Sequence, residues 1–276
     1  MNPVAQSAPV AGFVDLGGAR LFYETRGRGQ AVVFIHAGIA DRRMWDPQVA
    51  VFARHFQVVR YDSFGFGRSD TALGPNEDCR ELSALLHHLG IERASLVGAS
   101  RGARIALEFA LRFPARVRRL VLVAPGIPGA PVPDEVALRG REAWLAARRR
   151  GDIGWLIEFD LGYWLDGPAG PAGRVREPLR SLVRDMALAV HKRPPEEAEL
   201  RRAMSDPFVR DHLGEVEADT LVLVGSLDAH EIHAAAELIA ARLPTSVVKV
   251  PRAAHLLNME RPRLFNRLAI DFLAQA

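Results

Sequence analysis

The sequence predicts an α/β protein built on a mostly parallel, doubly wound sheet. Short apolar runs recur along the 276 residues, and segments with helical periodicity lie between them. The apolar runs are continuous rather than alternating, which indicates strands that helices cover on both faces. Strands and helices that alternate in this way are typical of α/β architecture.

The predicted strands begin with a hairpin. The stretch GFVDLGGARLFYETRG (12–27) has strand character on both sides of Gly17 and Gly18, where the chain is expected to turn. The other predicted strands are AVVFIHA (31–37), FQVVRYD (56–62), ASLVGAS (94–100), VRRLVLVAP (117–125), TLVLVGSLD (220–228) and SVVKVPRAAH (246–255).

Helical periodicity is clearest directly after Ser100. Apolar residues recur there at i, i+3, i+4, i+7 and i+8, and Phe113-Pro114 ends the pattern. These apolar residues are Ala103, Ala106, Leu107, Ala110 and Leu111. The small alanines favour close packing of this helix on the sheet. Further helices are predicted over 77–89 and 262–273.

The regular alternation stops after residue 125, which predicts an insertion. The inserted region opens with PGIPGAPVPDE, carries aromatic residues on helical segments and is interrupted by DGPAGPAG. We therefore expect a core domain in two parts, 1–125 and 218–276, with a helical lid over 126–217. Residues 1–11 are expected to be flexible.

Composition limits the classes of function. No stretch has the ~18 apolar residues of a membrane helix and no secretory signal is visible, so a cytoplasmic protein without membrane contact is expected. Cys79 is the only cysteine, which excludes an internal disulfide and a cysteine-based metal cage. The formal charge is only +3 despite a pI of 9.5, so no nucleic-acid partner is expected.

The pattern Gly98-x-Ser100-x-Gly102 lies between a predicted strand and a predicted helix. Such a junction puts the serine in a sharp turn, where side chains at the two glycines would collide with neighbouring backbone. A serine hydroxyl becomes an effective nucleophile when a base removes its proton. The hypothesis of a nucleophile therefore requires a histidine and a group that orients it.

Among nine histidines, His255 is the best placed to serve as this base. It follows the last predicted strand, and Asp228 ends the strand before it, so both are expected at the sheet edge that carries the serine. Asp62, after an earlier strand, is the alternative acid. His230 and His233 are interpreted as surface or packing residues, since no His-Glu-x-x-His spacing or third metal ligand is evident.

Four segments make the chain resemble α/β-hydrolase-fold enzymes of the type that includes 3-oxoadipate enol-lactonases and small carboxylesterases. HAGIADRRMWDPQ is similar to the oxyanion loop, and RYDSFGFGRSD to an Asp-x-x-Gly-x-Gly-x-Ser loop. VGASRGARIALEFALRFPARVRRLVLVAP is similar to the nucleophile elbow with its helix and next strand. AAHLLNMERPRLFNRLAIDFL is similar to the histidine loop and final helix, so the resemblance covers nearly the whole chain.

The resemblance implies a catalytic triad. Ser100 is implied as the nucleophile, His255 as the general base, and Asp228 as the carboxylate that fixes the tautomer of the histidine. The order Ser, Asp, His along the chain is that of the family.

The resemblance also implies an oxyanion hole made of two backbone amides. Arg101, directly after the nucleophile, supplies one of them. The family pattern His-Gly-x assigns the other to Gly38, but this chain has Ala37 in place of the glycine, so Ile39 remains a rival. His36 itself is interpreted as a structural hydrogen-bonding residue of this turn.

The lid tryptophans have two interpretations. They pack within the lid, or they line an acyl or leaving-group pocket. The pocket hypothesis names Trp144, Trp155 and Trp164 together with Ile127.

The sequence thus predicts a serine hydrolase that cleaves a small, largely apolar carboxylic ester or lactone through an acyl-enzyme. No metal or organic cofactor is expected, and the expected partner is the small-molecule substrate. A serine at the elbow argues against haloalkane dehalogenases and epoxide hydrolases, which use aspartate there. The alternatives are a carbon–carbon bond hydrolase of the meta-cleavage product type on the same triad, and a slow or non-catalytic ligand receptor.

Overall fold

The computed structural model describes residues 10–71, 78–128, 135–193 and 208–275. Its centre is an eight-stranded sheet with the order β1-β2-β4-β3-β5-β6-β7-β8. The strands are β1 (Val10–Asp15), β2 (Arg20–Arg26), β3 (Ala31–Ile35), β4 (Gln57–Tyr61), β5 (Ala94–Ala99), β6 (Val117–Val123), β7 (Asp219–Gly225) and β8 (Thr245–Val250). The hairpin β1-β2 is antiparallel and β2 pairs antiparallel with β4, whereas the strands from β4 to β8 along the sheet run parallel.

Helices connect the strands and form the insertion. Around the sheet lie α1 (Asp46–Phe52), α2 (Asp78–His88), α3 (Arg101–Arg112), α8 (His230–Ala240), α9 (Leu257–Glu260) and α10 (Pro262–Leu273). The insertion contains α4 (Glu135–Arg150), α5 (Ile153–Asp160), α6 (Leu179–His191) and α7 (Phe208–His212). A π-helical turn, Leu161–Asp166, continues α5 directly. Within the described ranges, no helix combines the length and apolar character needed to cross a bilayer.

Both faces of the sheet are buried, as the continuous hydrophobicity predicts. In β3, Val33 and Ile35 belong to one core cluster, while Val32 and Phe34 belong to the cluster on the opposite face. All four side chains are at most 1% exposed. The predicted α/β fold class, with a mostly parallel and doubly wound sheet, is confirmed.

The structure differs from the sequence prediction at several element ends. The last strand stops at Val250 rather than 255, because Pro251 and the left-handed Arg252 (φ 54°) turn the chain out of the sheet. Helix α1 was not predicted. Val10 and Ala11 belong to β1 rather than to a flexible segment, while residues 1–9 lie outside the described residues.

The described part of the insertion is helical, and DGPAGPAG follows the π-helical turn as a break. Its boundaries at 126 and 217 stay predictions. Val209 of α7 and Leu213 after it are buried in the core cluster that includes α3, so the last residues of the insertion pack as core. Residues 129–134 and 194–207 of the predicted lid lie outside the described ranges.

Candidate active site

Ser100 lies in a strained turn between β5 and α3. Its backbone has φ 53° and ψ −111°, a conformation that residues other than glycine rarely adopt. The Ser100 amide donates to the carbonyl of Val123 at 2.8 Å, which fixes the turn to the neighbouring strand. The strain is therefore held by the sheet, and the serine side chain reaches the wall of a cavity.

The two glycines of the elbow are required by close backbone packing. A Cβ at Gly98 would lie 2.2 Å from the carbonyl oxygen of Gly102, and a Cβ at Gly102 would lie 2.2 Å from that of Ile35. Real Cβ atoms do not approach oxygen so closely. The steric reason that the sequence suggested for this glycine spacing is thus present in the structure.

His255 and Asp228 form a buried pair at the same end of the sheet. The imidazole Nδ1 is 3.1 Å from both carboxylate oxygens, and the residues are 3% and 2% exposed. An ionised carboxylate only accepts hydrogen bonds, so Nδ1 carries the proton and donates it. Nε2 of His255 is thereby left as an acceptor, the state that a general base needs.

One cavity of about 680 Å³ brings the sequence-predicted residues together. Ser100, His255, Arg101 and Gly38 line it. Its remaining wall is formed by residues of the insertion and of α8, which include Ile127, Arg141, Trp144, Phe159, Asp160, Tyr163, Trp164 and Glu231. The arrangement places a hydroxyl, an imidazole and backbone amides around a space that holds a small molecule.

The turn after β3 contributes backbone amides to the cavity. The Ala37 amide donates to the sulfur of Met44 at 3.2 Å, so it is already engaged. Among the described residues, no acceptor is found for the amides of Gly38 or Ile39. A Cβ at Gly38 would lie 3.8 Å from Cβ of Arg101, so the turn after β3 and the start of α3 are in contact at the cavity. An oxyanion hole formed by the Arg101 amide with that of Gly38 or Ile39 stays a prediction.

His36 holds this turn in place. Its Nδ1 donates to the Ala37 carbonyl at 2.8 Å, and its Nε2 accepts from the Ser63 amide at 3.1 Å. Burial, together with the nearby Arg101 guanidinium, lowers the pKa of His36 to about 3. The neutral ring therefore holds the turn after β3 through two hydrogen bonds, as the structural interpretation predicts.

Asp62, the alternative acid, binds other groups than His255. It is fully buried, and it accepts from the Arg42 amide at 2.8 Å, the Arg68 amide at 2.9 Å and the Arg42 guanidinium at 2.8 Å. Burial raises its pKa, and the arginine and the two amides oppose that rise. Asp62 thus organises the loop after β4, while Asp228 is the carboxylate that meets His255.

The buried cationic side chains of the cavity are engaged in ion pairs. The guanidinium groups of Arg101 and Arg104 both pair with the carboxylate of Asp78, and Arg104 also pairs with Glu108 at 2.9 Å. Arg141 is solvent-exposed. Among the described residues, both arginines in the buried part of the cavity are therefore engaged by carboxylates of the protein itself.

Of the predicted pocket residues, Trp144, Trp164 and Ile127 line the cavity and Trp155 does not. Trp155 is 37% exposed and stacks on Phe159, with ring centroids 5.2 Å apart. Because it lies one helical turn before Phe159, it supports the lining residue from outside. Trp155 therefore lies behind the cavity wall and not in the pocket, where the pocket hypothesis puts it.

Several lining residues were missed by sequence reasoning. Phe159 and Tyr163 continue the stack of Trp155 at intervals of four residues, a spacing that could have indicated one aromatic face. Asp160 and Glu231 had no such signal. Glu231 accepts from the Tyr163 hydroxyl at 2.7 Å, a contact between residues 68 positions apart.

Asp160 belongs to a buried polar network of the insertion. Its Oδ2 lies 2.6 Å from Nε2 of His191, whose Nδ1 is 3.2 Å from the Arg148 guanidinium. Burial raises the pKa of Asp160, and the hydrogen bonds from His191 and Trp144 oppose that rise. The network fixes α4, α5 and α6 to each other behind the aromatic wall.

The insertion is fastened to the loops that carry Asp228 and His255. A Cβ at Gly167 (φ 84°) would lie 2.2 Å from the Leu227 carbonyl oxygen and 2.9 Å from Cβ of Ala254. Arg174 pairs with Glu260 at 2.6 Å, and Glu260 accepts from the Ala254 amide at 2.9 Å. We call this attachment, formed by Gly167, Arg174 and Glu260, the lid clasp.

Comparisons with known proteins place the chain in one fold family. A family model described as alpha/beta hydrolase fold matches residues 30–262. A 2-hydroxy-6-oxo-6-phenylhexa-2,4-dienoate hydrolase from Burkholderia cepacia is 28% identical, over 94% of this chain and 93% of that protein. 3-Oxoadipate enol-lactonase 2 from Acinetobacter baylyi is 28% identical over 89% and 90%. The structure of a thermophilic esterase from Thermogutta terrifontis superposes with a TM-score of 0.76 at 28% identity, covering 97% of this chain and 98% of that one.

Proposed function

The chain belongs to the α/β-hydrolase family, and on that premise we propose that it is a serine hydrolase of small, uncharged carboxylic esters or lactones. The observation that carries the proposal is the convergence of Ser100 and the His255–Asp228 pair on one cavity. Relatives that are named as an enol-lactonase and an esterase support the reaction class.

The proposed reaction has two halves. Oγ of Ser100 attacks the carbonyl carbon while its proton moves to Nε2 of His255, and the carbonyl electron pair moves onto oxygen. The resulting oxyanion accepts from the amides of Arg101 and Gly38. The tetrahedral intermediate collapses as His255 protonates the leaving alkoxide. Water, deprotonated by the same imidazole, then attacks the acyl carbon; the bond between that carbon and Oγ breaks as His255 returns the proton to Oγ, and the acid and free Ser100 are released.

The ion pairs of the two cavity arginines favour uncharged substrates. Arg101 and Arg104 are both engaged by Asp78, so a substrate carboxylate would have to compete with that carboxylate for them. Asp160 and Glu231 add negative groups to the wall. An anionic substrate such as a dienoate would meet these carboxyl groups and would have to displace Asp78 from the arginines, which is costly in a desolvated site.

A carbon–carbon bond hydrolase is the second candidate, since three similar proteins carry dienoate hydrolase names at 28–29% identity. The same triad would serve both reactions. The choice between them therefore depends on substrate recognition rather than on the catalytic groups.

A substrate panel tests the proposal. Hydrolysis of p-nitrophenyl butyrate, an uncharged alkyl lactone and a 2-hydroxy-6-oxo-dienoate is measured for the wild type and for Ser100→Ala. We expect kcat/KM for the ester or lactone to exceed that for the dienoate by about 100-fold, the cost of one unpaired buried charge interaction of about 3 kcal/mol. Faster dienoate cleavage would identify the second candidate. Fluorophosphonate labelling without turnover of any substrate would favour a receptor.

A further inference from the structure

Trp164 contacts the candidate base in two ways. Its carbonyl oxygen accepts a hydrogen bond from the His255 amide at 3.2 Å. Its ring centroid is 4.4 Å from the imidazole centroid, with 42° between the planes. Trp164 also lines the cavity, so one residue of the insertion fixes both the backbone and the ring of His255.

The indole is itself held in place. Tyr163 packs edge-on against it at 4.8 Å and 85°, and the Tyr163 hydroxyl is anchored on Glu231 of α8. Both residues lie in the π-helical turn, an element that frequently occurs at functional sites. The ring that faces His255 therefore has little freedom to turn away.

The chemistry gives this contact a second consequence. In the proposed reaction, His255 becomes an imidazolium as it takes the proton of Ser100. Asp228 faces its Nδ1 side, and the residue is only 3% exposed, so water stabilises the new charge poorly. The face of an indole is negative and attracts a cation within about 6 Å of its centroid. The 4.4 Å between the ring centroids of Trp164 and His255 lies inside that range.

We propose that Trp164 is a positioning residue whose indole face orients His255 and stabilises the imidazolium that forms during acyl transfer. The inference rests on the proposed function, since it concerns the same proton transfer. The inference gives the insertion a role in proton transfer to His255 as well as in enclosing the substrate.

Other charged groups near His255 must stay constant in the test. Asp228 is in direct contact, and Glu260, paired with Arg174, binds the preceding amide of Ala254. His233 of α8 is close enough to Asp228 for that carboxylate to act on its pKa. Arg101 and Glu231 line the same cavity. A substitution that alters only the electron density of the Trp164 ring leaves all of these charged groups in place.

The experiment replaces Trp164 site-specifically with mono-, di- and tetrafluorotryptophan. Fluorination keeps the shape of the ring and weakens its negative face, so no cavity opens and no water enters. The pKa of His255 is followed by NMR, and kcat/KM is followed against pH. We expect the His255 pKa to fall stepwise along the series and kcat/KM to fall by about 10-fold in total, within the range of about 0.5–2 kcal/mol for a cation–π contact. KM should change little.

The same analogues at Trp155 provide the matched control. Trp155 is an aromatic residue of α5 that stacks on Phe159 and not on His255. Fluorination there should leave the pKa of His255 unchanged.

An unchanged His255 pKa across the series at Trp164 would overturn the inference, as would an equal fall from fluorination of Trp155. The NMR titration does not require turnover. Inactivity towards every ester and lactone would therefore count against the proposed function while leaving the test of Trp164 intact.

Discussion

The two walls of the cavity are built on different physical principles. The core wall is fixed by backbone: Ser100 is strained between β5 and α3, and Gly98 and Gly102 leave no space for a side chain. The insertion wall is fixed by side chains, in the stack that runs from Trp155 through Phe159 to Tyr163. Between the walls, the lid clasp joins the insertion to the loops of Asp228 and His255.

This difference separates what fixes Ser100 from what shapes the rest of the cavity. Backbone-fixed positions tolerate almost no change, so Ser100 keeps its place. Positions held by side-chain packing can be exchanged for others of similar volume. We therefore expect substitutions in the core wall to affect turnover most and substitutions in the insertion to affect substrate choice.

The largest effect is expected from Asp228→Asn. The amide presents an N–H as well as a carbonyl, so it no longer requires Nδ1 of His255 to carry the proton, and the tautomer needed for catalysis is lost. We expect kcat for an ester to fall by about 10⁴-fold with little change in KM. Steady-state kinetics with p-nitrophenyl butyrate measure it.

Asp219→Asn is the control, because Asp219 begins the strand that leads to Asp228 and its side chain is 73% exposed. It should retain wild-type turnover. Full activity in Asp228→Asn would mean that another acid serves His255 and that the core wall is not organised as described.

A smaller effect is expected from Gly167→Ala at the lid clasp. The new methyl group would meet the Leu227 carbonyl oxygen at 2.2 Å, so the loops that carry the acid and the base must move. Displacements of about 1 Å at a catalytic group cost about 10²-fold in rate, and we expect kcat to fall by that factor. The measurement is kcat for an ester, alongside thermal unfolding.

Gly173→Ala separates this clash from backbone strain. Gly173 also has a positive φ, +69° against +84° for Gly167, but a Cβ there would meet nothing within 4 Å. Both variants should lose about 1 kcal/mol of stability from strain, and only Gly167→Ala should lose turnover. Equal kcat in the two variants would show that the clasp does not position the triad.

The smallest expected effect is the loss of stability at low pH when Asp166, which holds the insertion, becomes protonated. Burial opposes ionisation of Asp166, but the amides of Val175 and Gly173 and the Arg180 guanidinium outweigh it and lower its pKa below the ordinary 3.8. A depressed pKa stabilises the fold above the ordinary value, and that stability is lost as pH falls through the lower, folded-state value.

The predicted result is a pH-dependent gap between wild type and Asp166→Asn. The free energy of unfolding in urea should differ by about 2 kcal/mol at pH 7 and by less as the pH falls below 3.8. Asp185→Asn, on the exposed side of α6, should match the wild type throughout. A gap that is constant with pH would show that ionised Asp166 does not hold the insertion.

The sequence predicts the core wall better than the insertion wall, for a physical reason. The strands, α3, α10 and the glycine spacing depend on local periodicity and backbone sterics, which neighbouring residues encode. Ser100, His255 and Asp228 could be assigned to one sheet edge because parallel strands end together. Helix α1 is not predicted because its first three residues lie in a segment that is interpreted by its motif alone.

The insertion wall depends on contacts between distant residues. Nothing near Glu231 signals that the Tyr163 hydroxyl binds it, and nothing near Trp164 signals the ring of His255. Trp155 was placed in the pocket on composition, whereas helical geometry puts it behind Phe159. Side-chain packing of this kind has no short-range sequence pattern.

The most direct test of the central claim is stoichiometric labelling with a fluorophosphonate, located by peptide mass spectrometry. A serine activated by His255 should take one label per chain, at Ser100, and the rate of labelling should fall more than 100-fold in His255→Ala. Ser100→Ala should remain unlabelled, while Ser246→Ala, at an exposed position of β8, should label like the wild type. A label on any other residue, or a labelling rate that does not depend on His255, would contradict the account.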